Sequence, residues 1–205
     1  MELIDIHTHT TPSNRTIYNS GTAYVAGRSI SLGIHPWHIS DRWRDDLAAI
    51  TILAKEDNVV AIGECGLDTL KSTAAIGLQE EIFKAHILLS EALQKPLIIH
   101  CVKAFDRLIA LRKETKPAQA WILHGFRGKP QQAGQLIKAG FHISLGERFN
   151  PDSAKAIPID RLFIETDESG CSIEEIYAAI AVAKGMGLEE LARQTAENAL
   201  IFGQF

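Results

Sequence analysis

Cysteine is scarce: three in 205 residues. Cys65, Cys101 and Cys171 are odd in number and carry no framework spacing, which excludes a disulfide scaffold and suits a reducing cytoplasm. No apolar run approaches the length of a membrane span. Met1-Glu2-Leu3-Ile4-Asp5 has neither a positive n-region nor an apolar h-region, so a secretory signal is not expected there. Positive charge is short as well. With 21 Lys and Arg against 25 Asp and Glu the formal charge is -4, so there is no global basic face and any nucleic-acid contact has to be local. Internal repeats, low-complexity tracts and linker-like shifts are missing. The remainder is 46% hydrophobic and 22% charged, with a mean hydropathy of +0.01. That composition suits a single soluble domain over 1–205 with a substantial core.

Within that frame, short apolar strands alternate with amphipathic helices. Strands are expected at 4–9, 30–34, 58–64, 96–100, 120–124, 141–145 and 161–167. Ser40 is placed to cap a helix whose Trp43, Leu47, Ile50 and Ala54 share a face. The next helix carries Ile82, His86, Leu89 and Leu93 on one stripe, which makes His86 a core residue. Pro130 opens and Gly140 follows another helix, Ser172-Ile173-Glu174-Glu175 has the form of a capping box, and 188–202 gives the last helix. Residues 10–29, rich in Thr, Ser, Asn and Gly, read as a long loop or ribbon. Seven strands in this alternation predict a parallel sheet covered by helices: a TIM-barrel-like α/β fold shortened by about one β/α unit. A doubly wound open sheet is the alternative, but no Gly-rich dinucleotide fingerprint follows the first strand.

The unusual polar residues fall at strand ends. Asp5, His7 and His9 alternate onto one face of the first strand. Glu64, His100, His124 and Asp167 close four later strands. In a parallel barrel such ends converge on the face where catalytic groups sit. A single His or carboxylate at a strand end is ordinarily a satisfied polar residue; six at equivalent positions point to a metal centre. The count supports two ions, one among His7, His9, Glu64 and Asp167, the other among Glu64, His100 and His124, with Glu64 bridging. Imidazole and carboxylate suit zinc, manganese or a similar ion better than calcium. Two ions about 3.5–4 Å apart would hold a bridging hydroxide and clamp an in-line displacement, with Asp167 as general base and Asp5 behind a ligating histidine.

The segments Asp5-Ile6-His7-Thr8-His9, Gly33-Ile34-His35-Pro36, Ile62-Gly63-Glu64-Cys65-Gly66-Leu67-Asp68, Ile99-His100-Cys101, His124-Gly125-Phe126-Arg127-Gly128 and Glu165-Thr166-Asp167 resemble, in order, those of the TatD family. Gly140-Phe141-His142-Ile143-Ser144 and Asn198 extend the likeness over nearly the whole chain. The resemblance implies a TIM-barrel-like fold and two divalent ions (Zn, Mn or Mg). It makes His7, His9, Glu64, His100, His124 and Asp167 the ligands, and hydrolysis of DNA or oligonucleotides the leading activity. His35 would lie beside the site and contact substrate.

Departures shift the expectation. Val102 stands where the family usually has an arginine, and it cannot supply that clamp's paired donors. Lys103 is one residue further on and, with His35 and Arg127, is a substrate-binding candidate. Arg15, Arg127, Lys129 and Arg148 are loop cations that would contact phosphate if they reach the catalytic face. A small-molecule hydrolase acting on an amide, lactone or phosphoester is therefore a competing expectation. A non-catalytic metal-binding relic is a third, against which the complete ligand set argues. Cys65 and Cys101 are read as small buried hydrophobes.

Overall fold

The structure, a computed structural model, describes residues 2–10 and 15–203; the loop reading at 11–14 lies outside them. In chain order the strands are β1 (Asp5–Thr8), β2 (Thr16–Asn19), β3 (Ile30–Leu32), β4 (Val59–Asp68), β5 (Leu97–Val102), β6 (Trp121–Leu123), β7 (His142–Leu145) and β8 (Leu162–Ile164). The helices are α1 (Trp43–Leu53), α2 (Ile76–Leu93), α3 (Phe105–Thr115), α4 (Pro130–Lys138), α5 (Pro151–Ala156), α6 (Ile173–Lys184) and α7 (Leu188–Asn198). Among the described residues no helix is long and apolar enough to cross a membrane.

This corrects the expected count. Eight strands are described where seven are legible, so the chain is not short of a strand, and eight is the number a full (β/α) barrel needs. What is missing, among the described residues, is any helix between β1 and β3. β2 escapes a sequence reading because it is four residues long and lies in a polar stretch. It pairs with β1 in parallel, Asp5 opposite Thr16 and Thr8 opposite Tyr18, although a parallel pair usually needs a crossover of roughly a dozen residues or more.

The chain divides into two compact units, residues 1–18 with 122–205, and residues 19–121. In the first, β6, β7 and β8 are parallel neighbours. Beyond β8 a parallel bridge from Asp167 to Thr8 carries the pairing on to β1. The Tyr177 hydroxyl on α6 donates to the Ile4 carbonyl (2.9 Å) and accepts its N–H (3.2 Å), which fixes the entry to β1. The Asn198 amide donates to the carbonyls of Ile159 (2.7 Å) and Leu162 (2.8 Å), which fixes the start of β8. Phe141, Phe163, Ile143 and Leu145 are fully buried around these strands.

In the second unit β3, β4 and β5 are parallel. Glu64 does not end its strand, as expected from sequence; β4 runs on through Asp68, all ten residues buried. Gly63 and Gly66, with φ of 141° and 143°, make this possible, because a Cβ at either would strike the backbone carbonyl of Ile98 or His100 on β5. The Gly63–Glu64 peptide bond is cis. α1 is also entered differently: its N-cap is Arg42, and Ser40 Oγ accepts the Arg42 N–H at 3.2 Å outside the helix. Pro130 at the start of α4 and the Ser172 capping box of α6 are as the sequence predicts.

Candidate functional site

In the first unit, β1 presents His7, whose side chain is fully buried, and the turn after it His9, about a third exposed (35%). Asp167 takes a left-handed backbone (φ 55°). Its N–H donates to the His7 carbonyl (2.9 Å) and its carbonyl accepts the His9 N–H (3.2 Å), so the carboxylate is aimed back at both rings. Oδ1 lies 3.8 Å from His7 Nε2 and 3.6 Å from His9 Nε2. Those spacings exceed a hydrogen bond. They are close to the roughly 3.4 Å edge of a tetrahedron of donors around one zinc-like ion. The His124 ring lies 4.3 Å from that of His7, and the ligand atoms of His7, His124 and Asp167 all fall within 4.8 Å of one another.

Glu165, which in the sequence is only part of a motif run, orients His124. Its buried carboxylate lies 3.3 Å from His124 Nδ1 and accepts the Gly125 N–H at 2.6 Å. A carboxylate can only accept, so Nδ1 carries the proton and Nε2 keeps its lone pair for a metal. Burial pushes the Glu165 carboxyl up, but His124, His7 and Ser144 outweigh it and hold it below the usual carboxylate range. Asp5 lies deeper on β1: it accepts the backbone N–H of His7 (3.2 Å) and both the N–H (3.1 Å) and hydroxyl (2.6 Å) of Thr166. Burial raises its pKa to about 7 against those hydrogen bonds, with the Glu165 charge adding to the rise. Asp5 thus ties β1 to the backbone next to Asp167.

A pocket of about 180 Å³ opens beside Asp167, lined also by Arg127, Arg148, Glu147 and Ser169. Both arginines are exposed.

In the second unit, Glu64 is met by polar groups from three directions. Oε1 lies 3.0 Å from His35 Nε2 and 2.9 Å from His100 Nδ1, while Oε2 accepts the Asn19 amide at 2.9 Å. Neither Asn19 nor Asp68 stands out in the sequence as a site residue. Asp68 Oδ2 lies 3.1 Å from His100 Nε2 and accepts Trp37 Nε1–H at 2.6 Å; Oδ1 accepts the N–H groups of Leu70 (2.7 Å) and Lys71 (2.8 Å). His35, Glu64 and His100 also offer ligand atoms within 4.8 Å of one another. The tautomers assign them different roles. His35 Nδ1 accepts the Trp37 N–H (3.1 Å), so its Nε2 is protonated and donates to Glu64. Burial lowers the His35 pKa, against the raising effect of Glu64, which keeps the ring neutral. His100 can give its Nε2–H to Asp68, which leaves the Nδ1 lone pair on the side of Glu64 as a metal donor. Lys103 is exposed, with a left-handed backbone.

Borderline nitrogen and hard oxygen donors at these spacings fit a first-row divalent ion or magnesium. Parallel β/α units carrying such donor sets on and just beyond their strands define a metal-dependent hydrolase. Residues 3–202 match the model of the TatD related DNase family, and the chain belongs to that family.

Its relatives agree. The chain is 33% identical over 190 residues to the uncharacterized metal-dependent hydrolase YcfH of Escherichia coli K12, covering 82% of this chain and 71% of that one. It is 31% identical over 198 residues to the 3'-5' ssDNA/RNA exonuclease TatD of Erwinia amylovora, covering 83% and 76%. Among solved structures it is similar to YJJV, a TatD homolog from Escherichia coli K12, with a TM-score of 0.73 and 23% identity over 85% of this chain and 76% of that one. That likeness shows a TIM-barrel-like fold.

Proposed function

We propose that the chain is a phosphodiesterase that hydrolyses DNA or oligonucleotides with two divalent ions. One ion is assigned to His7, His9, His124 and Asp167, with His124 grouped beside His7 rather than with Glu64 and His100 as expected from sequence; the other is assigned to Glu64 and His100, with His35 as a hydrogen-bond donor to Glu64. The observation that carries the reading is the donor set around Asp167 opening on a pocket lined by Arg127 and Arg148. When bound, the ions supply Lewis-acid polarisation of the phosphoryl group and an acidified water. Asp167, a quarter exposed beside the pocket, would help hold an ion and is placed to act as general base. Arg127 and Arg148 meet the phosphate charge with the paired donors that Val102 lacks. The relative named as a 3'-5' ssDNA/RNA exonuclease supports a single-stranded substrate.

The test is cleavage of end-labelled single- and double-stranded oligonucleotides by protein loaded with zinc, manganese or magnesium. Cleavage is expected with at least one metal, to vanish on chelation, and to fall at least about 10²-fold in Asp167→Asn. Wild-type protein that leaves every strand intact under all three metals sinks the proposal. A second reading, a small-molecule phosphoesterase or amidohydrolase, rests on Val102 and the charge of -4. It is favoured if chromogenic esters turn over while oligonucleotides do not.

A further inference from the structure

Three tryptophans are present. Trp121 and Trp43 are buried at 0% and 6% exposure, but Trp37 is 40% exposed. It is not a loose surface residue. Its Nε1–H is held by Asp68 at 2.6 Å, and its ring packs edge-on against His35 (centroids 4.7 Å apart) and His100 (5.5 Å). The turn that carries it is fixed from both sides, since His35 Nδ1 accepts the Trp37 N–H and Ser72 Oγ donates to the Pro36 carbonyl at 2.6 Å. Leu70, on the loop tied to Asp68, adds a second exposed apolar side chain at 66%. The Lys71 ammonium lies 4.4 Å from the indole centroid.

We infer that Trp37 is a stacking platform for a base of single-stranded nucleic acid, seated against His35 and His100, with Lys71 beside it for the adjoining phosphate. This rests on the phosphodiesterase reading. A rigid indole whose N–H is already engaged offers a base only its π-face, which every base can use, so the contact selects unpaired strands rather than a sequence. The exposed Lys71 contact is the weaker of the two interactions, so a base displaces the ammonium from the ring and leaves it free to meet phosphate.

The experiment titrates metal-loaded protein with a phosphorothioate decathymidylate and with an abasic strand of the same length, following tryptophan emission and affinity. Wild type is expected to be quenched by the thymidine strand and to bind it about tenfold tighter than the abasic strand. Trp37→Phe keeps a stacking face but not the N–H, so it is expected to keep most of the affinity while losing the quench. Trp37→Leu loses both and binds the two strands alike. Equal binding of both strands by wild type, or unchanged affinity in Trp37→Leu, overturns the platform. So does a loss in Trp37→Phe as large as in Trp37→Leu, which would place the effect on Asp68 instead. Because the probe is not cleaved, the outcomes separate. Protein that binds through Trp37 yet cuts no strand refutes the phosphodiesterase reading, and cleavage indifferent to Trp37 refutes the platform alone.

Discussion

Both nitrogens of His100 face carboxylate oxygens, and the two carboxylates are not equivalent. Glu64 is a ligand candidate; Asp68 is already saturated by Trp37, Leu70 and Lys71 as well as His100. Burial would raise the Asp68 pKa, but those four hydrogen bonds hold it down to about 2. It therefore stays an anion that fixes the Nε2–H tautomer. Asp68→Asn is expected to weaken manganese or zinc binding by about 10–100-fold, measured by isothermal titration calorimetry. An unchanged metal isotherm would rule out this orienting role. His7, His100 and Asp167 stand out in the sequence because each follows an apolar run, although His7 and His100 lie inside β1 and β5 and Asp167 lies beyond β8. Asp68 and Glu165 were visible only inside motif runs, since what they touch depends on ring tautomers and on backbone turns that spacing does not encode. Asn19 carries no sequence signal at all: it faces Glu64 only because the unread β2 ends there.

At the scale of elements, α2 anchors the segment that leads into His35 through a single imidazole. His86 Nδ1–H donates to the Ile82 carbonyl (2.8 Å) and Nε2 accepts the Ile34 N–H (3.0 Å), so the ring is committed as neutral. Burial lowers its pKa from 6.5 to about 4. Above pH 6.5 both folded and unfolded states carry a neutral ring and its stabilising contribution is complete. As pH falls from 6.5 toward 4 only the unfolded state takes the proton, so stability is lost across that window. In urea melts of chelator-treated protein, wild type is expected to lose about 2 kcal/mol more between pH 7.5 and pH 5 than His86→Gln does. Equal losses would show that the ring is not held neutral. The helical stripe marked His86 as a core residue, and it is one. The same periodicity argument failed at β2 and at the end of β4, where four-residue pairing without a helix and glycine-dependent backbone replace any repeating pattern.

For the chain as a whole, the charge of -4 and a pI near 6.1 decide how a polyanion can be held. A net-negative protein has no long-range field to draw in nucleic acid, so affinity has to come from a few local cations and from contacts that salt does not screen. On the proposed phosphodiesterase reading, exposed Arg127 and Arg148 beside Asp167 are the cations that would supply it. Two phosphate contacts, at Arg127 and Arg148, correspond to a log–log salt slope of roughly -1.4 for a single-stranded ligand, since each contributes about -0.7. Binding of the non-cleavable strand measured by fluorescence anisotropy over a range of salt is expected to give that shallow slope. Arg127→Gln and Arg148→Gln should each reduce it by about 0.7. A slope steeper than about -5 would mean an extended basic track, which 21 basic against 25 acidic residues do not readily supply. A slope untouched by both arginine substitutions would leave the pocket beside Asp167 without a role in binding the substrate backbone.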